Sequence, residues 1–162
     1  MAITNTASDR GKHIDDLRAA IEHRATWFYL LVQEAKERGL GYEFAREAVR
    51  KTGNFHGETR LTPTDDFYKF SSDFLTENVR NIFEMEVNPS DDELNVTFGY
   101  CPLVSAWQKL GANEEEMAVL CDIAMDGDRG ITEKFPGFEF HLGKTIAQGA
   151  SSCQLRFTRK EG

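Results

Sequence analysis

A cysteine stands directly before a proline where an alternating segment of the sequence gives way to a helical one. The stretch GYCPLVSAW contains both residues. Proline is favoured at the first position of a helix, because the N–H that it lacks would be unpaired there. Cys101 is therefore predicted to be a helix N-cap. Free backbone N–H groups and the helix dipole stabilise a thiolate, so we expect the Cys101 pKa to fall below about 8.5. The alternative is a cysteine that only packs at the strand end.

Two further cysteines occupy apolar patterns. Cys121 falls on the apolar stripe of a predicted helix, where a free cysteine is commonly a small buried side chain. We retain Cys121 and Trp107 as candidate substrate contacts. In our predicted register, Lys144 lies opposite Cys153. An ammonium on a core-facing surface is costly unless it has a pocket or a partner, so Lys144 either binds a substrate or reaches water.

Carboxylates and a histidine complete the set of candidate groups. Asp122 and Asp126 lie one helical turn apart, and Asp126 is a candidate base for activating water. The alternative is that both belong to a solvated helix end. His56 and Arg60 lie in a predicted loop over residues 53–63, which is long enough to cover a site.

Composition limits the classes of protein. The 162 residues suggest one α+β domain over residues 1–162, with residues 1–11 as a flexible leader. A net charge of -8 without a basic cluster argues against a nucleic-acid partner. The longest apolar run is too short for a bilayer span. The start of the sequence lacks a secretory signal, so we expect a cytoplasmic protein with reduced thiols. Three widely spaced cysteines argue against a disulfide framework or a zinc ribbon.

Apolar steps of three and four predict several helices that must position these groups. The first covers residues 14–35, and extra apolar side chains predict either a central core helix or a homodimer contact. A second covers residues 42–51 and is closed by Gly53. A third runs from residue 65 to 79. Shorter helices begin at Pro102 and after Asn113, where Glu116 completes a capping box.

Alternating segments predict two hairpins. Pairing Val87 with Leu94 places the apolar side chains of the first hairpin on one face. Pairing Phe140 with Phe157 does the same for the second. The sum is an α+β fold, with helices packed on one face of an antiparallel sheet of about four strands.

The thiol-bearing half of the chain, residues 83–157, resembles the L-2-amino-thiazoline-4-carboxylic acid hydrolase family. The shared features are CP leading into a helix, LC followed by aspartate after an acidic helix start, and the final hairpin KTIAQGASSCQLRF. The resemblance implies a hydrolase that opens a cyclic amidine of a small carboxylate substrate. Either the Cys101 thiolate attacks the ring, or a carboxylate such as Asp126 activates water. Cys153 is a second candidate thiol, and Lys144 would either hold the substrate carboxylate or lower the pKa of Cys153.

The final hairpin is also similar to vinyl-reductase-type small-molecule-binding domains, which can hold zinc through cysteines. Here the turn QGASSC lacks the acidic residue that often follows the glycine. The alternative function is therefore a binding module without catalysis, in which Cys101, Cys121 and Cys153 share a zinc ion with an aspartate. The hydrolase interpretation requires no cofactor.

Overall fold

Helices and an antiparallel sheet make up the computed structural model, which describes residues 2–161. The helices are α1 (Lys12–Glu37), α2 (Glu43–Thr59), α3 (Phe67–Phe74), α4 (Glu77–Phe83), α5 (Pro102–Lys109), α6 (Glu114–Ala124) and α7 (Asp126–Thr132). The strands are β1 (Met85–Pro89), β2 (Glu93–Phe98), β3 (Phe138–Leu142) and β4 (Cys153–Arg159). A 3₁₀ turn, Ile146–Gln148, lies between β3 and β4.

The four strands lie in the order β1-β2-β4-β3, so each predicted hairpin forms and the two join through β2 and β4. The predicted pairing of Phe140 with Phe157 is confirmed. The predicted register of the first hairpin is wrong by two residues, because Val87 pairs with Val96 and not with Leu94. Ser90 places the turn differently from our prediction, because its N–H and its hydroxyl both donate to the Glu93 carbonyl. A shift of two keeps every side chain on its predicted face.

The apolar face of the sheet is covered by the helices, which confirms the α+β prediction. Phe70 of α3 packs edge-on against Phe138 of β3 and Phe157 of β4, with ring centroids 5.2 and 5.3 Å apart. All three rings are buried. Aromatic pairs in such edge-to-face geometry add to the gain from burial, so this cluster fixes the helical layer on the sheet.

The second helix continues well beyond its predicted end at Gly53. Gly53 and Gly57 face α7, and a Cβ at position 53 would overlap the carbonyl oxygen of Gly127. The Gly130 of α7 approaches the Arg50 carbonyl of α2 in the same way. These glycines allow two helix backbones to touch and do not end a helix. The segment DGDRG, predicted to end the preceding helix, is accordingly part of α7.

The predicted third helix is divided in two. Leu75 ends α3, and Thr76 caps α4 by accepting from the Val79 N–H. Asn113 caps α6 as predicted, with its side chain accepting from the Glu116 N–H at 2.8 Å. The Glu116 carboxylate extends toward α1, where it accepts a hydrogen bond from the Gln33 side chain.

The first helix presents apolar side chains on two sides, as predicted. Ala25 and Val32 are buried, whereas Trp27 and Leu31 are 62% and 60% exposed. The homodimer contact through this helix stays a prediction. Within residues 2–161, no helix has the length and the apolar character that crossing a membrane requires.

Candidate functional site

The pairing of β2 with β4 brings the first and last cysteines to one end of the sheet. Phe98, the last residue of β2, lies opposite Cys153, the first residue of β4. Cys101 follows Phe98 by three residues and is the N-cap residue directly before α5. Cys121 of α6 joins them, because α6 packs on the 3₁₀ turn that precedes β4. All three cysteines are free and buried, and each interacts electrostatically with the other two.

Cys101 is the N-cap residue of α5, as predicted, with Pro102 in the first turn. The predicted fall in its pKa is wrong. Burial of the sulfur raises the Cys101 pKa, and the N–H groups of Val104 and Leu103 and the charge of Arg24 only oppose that rise. Neither N–H forms a regular capping hydrogen bond with the sulfur. Only 7% of Cys101 is exposed, and the residue belongs to the hydrophobic core.

The other two thiols are held in the interior. The sulfur of Cys153 accepts a hydrogen bond from the Ile146 N–H at 3.2 Å. Burial raises the pKa of Cys153 and raises that of Cys121 to about 12. The Thr145 hydroxyl is buried beside Cys121 and lowers that thiol's pKa in part. Among described atoms, however, this hydroxyl has no hydrogen bond of regular geometry.

Arg24 of α1 is a cation that the sequence reasoning missed. Its charge acts on Cys101, on Asp128 of α7 and on His56 of α2. Within residues 2–161, Arg24 has no hydrogen-bond or ion-pair partner. Its side chain reaches solvent, but protein surrounds the guanidinium closely enough that burial lowers its pKa. An unpaired guanidinium that is partly desolvated is suited to binding a carboxylate.

Asp128 is the second group that the sequence reasoning missed. Burial raises its pKa to about 7, and the charges of Arg129 and Arg24 only partly offset that effect. A carboxyl group with a pKa near neutrality can donate or accept a proton at physiological pH. Burial also lowers the pKa of His56, and the nearby charges of Arg60 and Arg24 add to the effect.

The predicted base, Asp126, lies in a different environment. It is 2% exposed, and its carboxylate is bound by Arg46 and Arg50 of α2, both at 3.1 Å, and by Arg129 at 2.9 Å. Asp122 pairs with Arg46 and Arg129 in the same cluster. This arrangement fastens α2 to α6 and α7, and it leaves the Asp126 oxygens committed to partners.

The two predicted substrate contacts outside the thiol cluster also differ from expectation. Lys144 is adjacent to Cys153 along the register, since its carbonyl accepts from the Gln154 N–H, but its side chain is exposed. Of the two predicted alternatives, Lys144 therefore follows the one in which its ammonium group reaches water. Trp107 is fully buried, and its indole N–H donates to the Ala25 carbonyl at 3.1 Å. It joins α5 to α1 in the core.

The zinc alternative finds no support in the side-chain arrangement. Among residues 2–161, no group of three or more histidine, cysteine or acidic side chains is placed to hold a metal ion. The cysteines are close enough to influence each other electrostatically without converging as ligands must.

The sequence carries only weak signals for Arg24 and Asp128. Arg24 is adjacent to Ala25, which lies on the buried stripe of α1, so Arg24 stands at the border between the buried and exposed faces. Asp128 falls in a segment that we had read as a helix end, and the continuation of the chain into α7 places it on a helix packed against α2. Neither position is distinctive until the helices are assembled.

Fold and site define an α+β protein in which a buried thiol cluster lies within electrostatic range of Arg24, a cation without an ion-pair partner among residues 2–161. Over residues 18–157 the chain matches the family model described as L-2-amino-thiazoline-4-carboxylic acid hydrolase, and it belongs to that family. The match confirms the resemblance seen in residues 83–157 and extends it to the N-terminal helices.

Comparison with other proteins adds information on the fold alone. No curated protein sequence matches the chain. Among solved structures, it is similar to a trafficking protein particle complex subunit 3 from Naegleria fowleri, described as covalently bound to palmitic acid. The TM-score is 0.56 with 15% identity, over 86% of this chain and 95% of that one.

Proposed function

We propose that this protein is a hydrolase that opens the ring of a small cyclic amidine bearing a carboxylate, with Cys101 as the nucleophile. Membership of the thiazoline hydrolase family supports the reaction class. The observation that carries the proposal is the position of Cys101, which begins a helix within range of the unpaired cation Arg24.

Arg24 would bind the substrate carboxylate. It replaces Lys144 in this role, because Lys144 points to water whereas Arg24 acts directly on Cys101. A guanidinium can take both carboxylate oxygens in a planar, two-bond arrangement. Such binding would place the amidine ring over the start of α5 and would exclude water from around Arg24.

The chemical step begins from a protonated thiol, because burial raises the Cys101 pKa. The ring nitrogen of an amidine is basic enough to take the thiol proton. The sulfur then bonds to the amidine carbon, the ring C–N bond breaks, and the nitrogen leaves as an amine. Water attacks the same carbon, one of its protons goes to the departing Cys101 sulfur and the other to the carboxylate that protonated the amine, and the net reaction consumes one water.

Asp128 would supply a proton to the departing nitrogen. The charge of Arg24 acts on this carboxyl and on the Cys101 thiol alike, so the proposed donor and the nucleophile share one cationic neighbour. A group that titrates near pH 7 is well matched to this task. Asp126 is then a structural carboxylate, and Cys121 and Cys153 form the wall behind the nucleophile.

Ring opening of L-2-amino-thiazoline-4-carboxylate by cysteine variants tests the proposal. We expect Cys101→Ser to reduce kcat by about a thousandfold and Cys153→Ser to stay within about threefold of the unaltered protein. Cys121→Ser is a matched control for loss of a buried thiol. Intact-mass measurement during turnover should detect an adduct in the unaltered protein that is absent from Cys101→Ser. Full activity of Cys101→Ser would overturn the nucleophilic role.

A further inference from the structure

The segment before α1 is fastened to the backbone of Cys101. The Nδ2 group of Asn5 donates to the Cys101 carbonyl at 2.8 Å, and the Cys101 N–H donates to Asn5 Oδ1 at 2.9 Å. A neighbouring β-strand would bond the N–H and the carbonyl of Cys101 in the same way. Cys101 lies beyond the last residue of β2, so the sheet does not supply such a partner at this point.

This contact is anchored on both sides of Asn5. Ile3 packs against the core. The Ser8 N–H donates to a Glu84 carboxylate oxygen at 2.7 Å, and the Ser8 carbonyl accepts from the buried Arg18 at 2.9 Å. We had predicted a flexible leader over residues 1–11. Met1 lies outside the described residues, and those from 2 to 11 form no helix or strand but make specific contacts.

We infer that Asn5 is a positioning residue for Cys101, holding its backbone so that the thiol faces the first N–H groups of α5. The inference rests on the proposed nucleophilic role of Cys101. The Cys101 carbonyl also accepts from the Ser105 N–H at 3.2 Å, the first bond of α5. Asn5 and the helix therefore hold this carbonyl together, with Cys101 in an extended conformation at φ -135° and ψ 111°.

The chemistry explains why an asparagine suits this position. A carboxamide offers one donor and one acceptor side by side, so it satisfies both backbone groups of Cys101 at once. An aspartate could accept from the N–H but could not donate to the carbonyl, and its charge would lie beside the thiol. A nearby negative charge disfavours a thiolate.

Two variants and a control separate positioning from simple support of the fold. In Asn5→Ala we expect kcat to fall about tenfold while KM changes less than twofold, because substrate binding does not involve Asn5. In Asn5→Asp we expect the pH midpoint for alkylation of Cys101 by iodoacetamide, followed by peptide mass spectrometry, to rise by about one unit. Asn78→Ala removes an exposed asparagine of α4 and should change neither quantity.

Alkylation does not require turnover, so it decides the inference even if Cys101→Ser proves active. An unchanged alkylation midpoint in Asn5→Asp would overturn the inference. Unchanged kcat in a folded Asn5→Ala would overturn it as well. If Asn5→Ala fails to fold, Asn5→Asp retains the acceptor for the Cys101 N–H and carries the test alone.

Discussion

Gly53 of α2 lies against Gly127 of α7 so closely that no side-chain carbon fits between the two backbones. This contact brings α7 onto α2 and thereby sets the position of Asp128, whose carboxyl is influenced by the charge of Arg24 on α1. The same helix pair is joined at its other end by Gly57, where a Cβ would lie 3.1 Å from the Lys134 side chain. Backbone contact between α2 and α7 is thus a condition for the site.

Replacing Gly53 should therefore destabilise the protein. We expect Gly53→Ala to lower the free energy of unfolding by about 3 kcal/mol, because the obstructing atoms belong to backbone and cannot rotate away. Urea denaturation measures the change. Gly41→Ala is the matched control, since a Cβ there meets nothing within 4 Å, and its effect should stay within about 0.5 kcal/mol. Equal stability of the two variants would contradict the close contact.

Arg24 should govern recognition of the carboxylate. We expect Arg24→Gln to raise KM at least about tenfold for the carboxylate substrate, which is the cost of losing charge-assisted hydrogen bonds. For the methyl ester of the same compound, KM should be unchanged by the substitution. Arg38→Gln, at the exposed end of α1, serves as control. If KM rises equally for the carboxylate and for its methyl ester, Arg24 does not bind the carboxylate group.

Asp128 should make stability depend on pH. Its pKa is raised from the ordinary value of 3.8 to about 7 in the folded protein. The protonated form therefore favours folding, so its contribution is complete below about pH 3.8 and is lost as the pH rises to about 7. Urea denaturation between pH 4 and pH 8 should show this loss in the unaltered protein and not in Asp128→Asn.

An exposed carboxylate provides the comparison for that experiment. Asp92 lies in the turn between β1 and β2, and Asp92→Asn should retain the pH dependence of the unaltered protein. The proposed proton donation adds a second readout, because kcat/KM should fall as the pH rises through about 7. A stability profile of Asp128→Asn that parallels the unaltered protein would count against the raised pKa.

Asp126 should matter for stability and not for chemistry. We expect Asp126→Asn to cost about 2 kcal/mol, less than a fully buried ion pair, because its three arginine partners remain 27% to 47% exposed. Activity per folded molecule should stay within about twofold. Asp122→Asn, 41% exposed in the same cluster, should cost less. A large loss of kcat in folded Asp126→Asn would restore its predicted role as a base.

Local patterns predicted those parts of the fold that depend on neighbouring residues. The alternation around Phe140 and Phe157 predicted the observed register, in which both apolar sets lie on the buried face. The first hairpin differed by two residues, a shift that alternation cannot detect since it preserves both faces. The hydroxyl of Ser90 decides between the two registers through its bonds in the turn.

Long-range contacts account for what the sequence reasoning missed. In the sequence, a glycine that ends a helix looks the same as a glycine that lets a second helix pack closely. Only the close approach of Gly127 in the folded protein shows that Gly53 is of the second kind. Arg24 and Asp128 stand more than a hundred positions apart in the chain. The electrostatic effect of Arg24 on Asp128 depends on how α1 and α7 are placed in the folded chain, and hydrophobic periodicity does not predict that placement. The prediction of a lowered Cys101 pKa was wrong for a related reason. Burial raises this pKa by more than the N–H groups at the start of α5 lower it.

The order of the strands has a consequence for how the protein folds. Each hairpin joins segments that are close in the chain, whereas the pairing of Phe98 with Cys153 closes a long loop that contains α5, α6, α7 and β3. Contacts between distant segments form late, because the entropy of loop closure is lost before they contribute stability. A nascent chain that has formed both hairpins but not their junction therefore keeps Cys101 and Cys153 apart, and the thiol cluster assembles only as folding is completed.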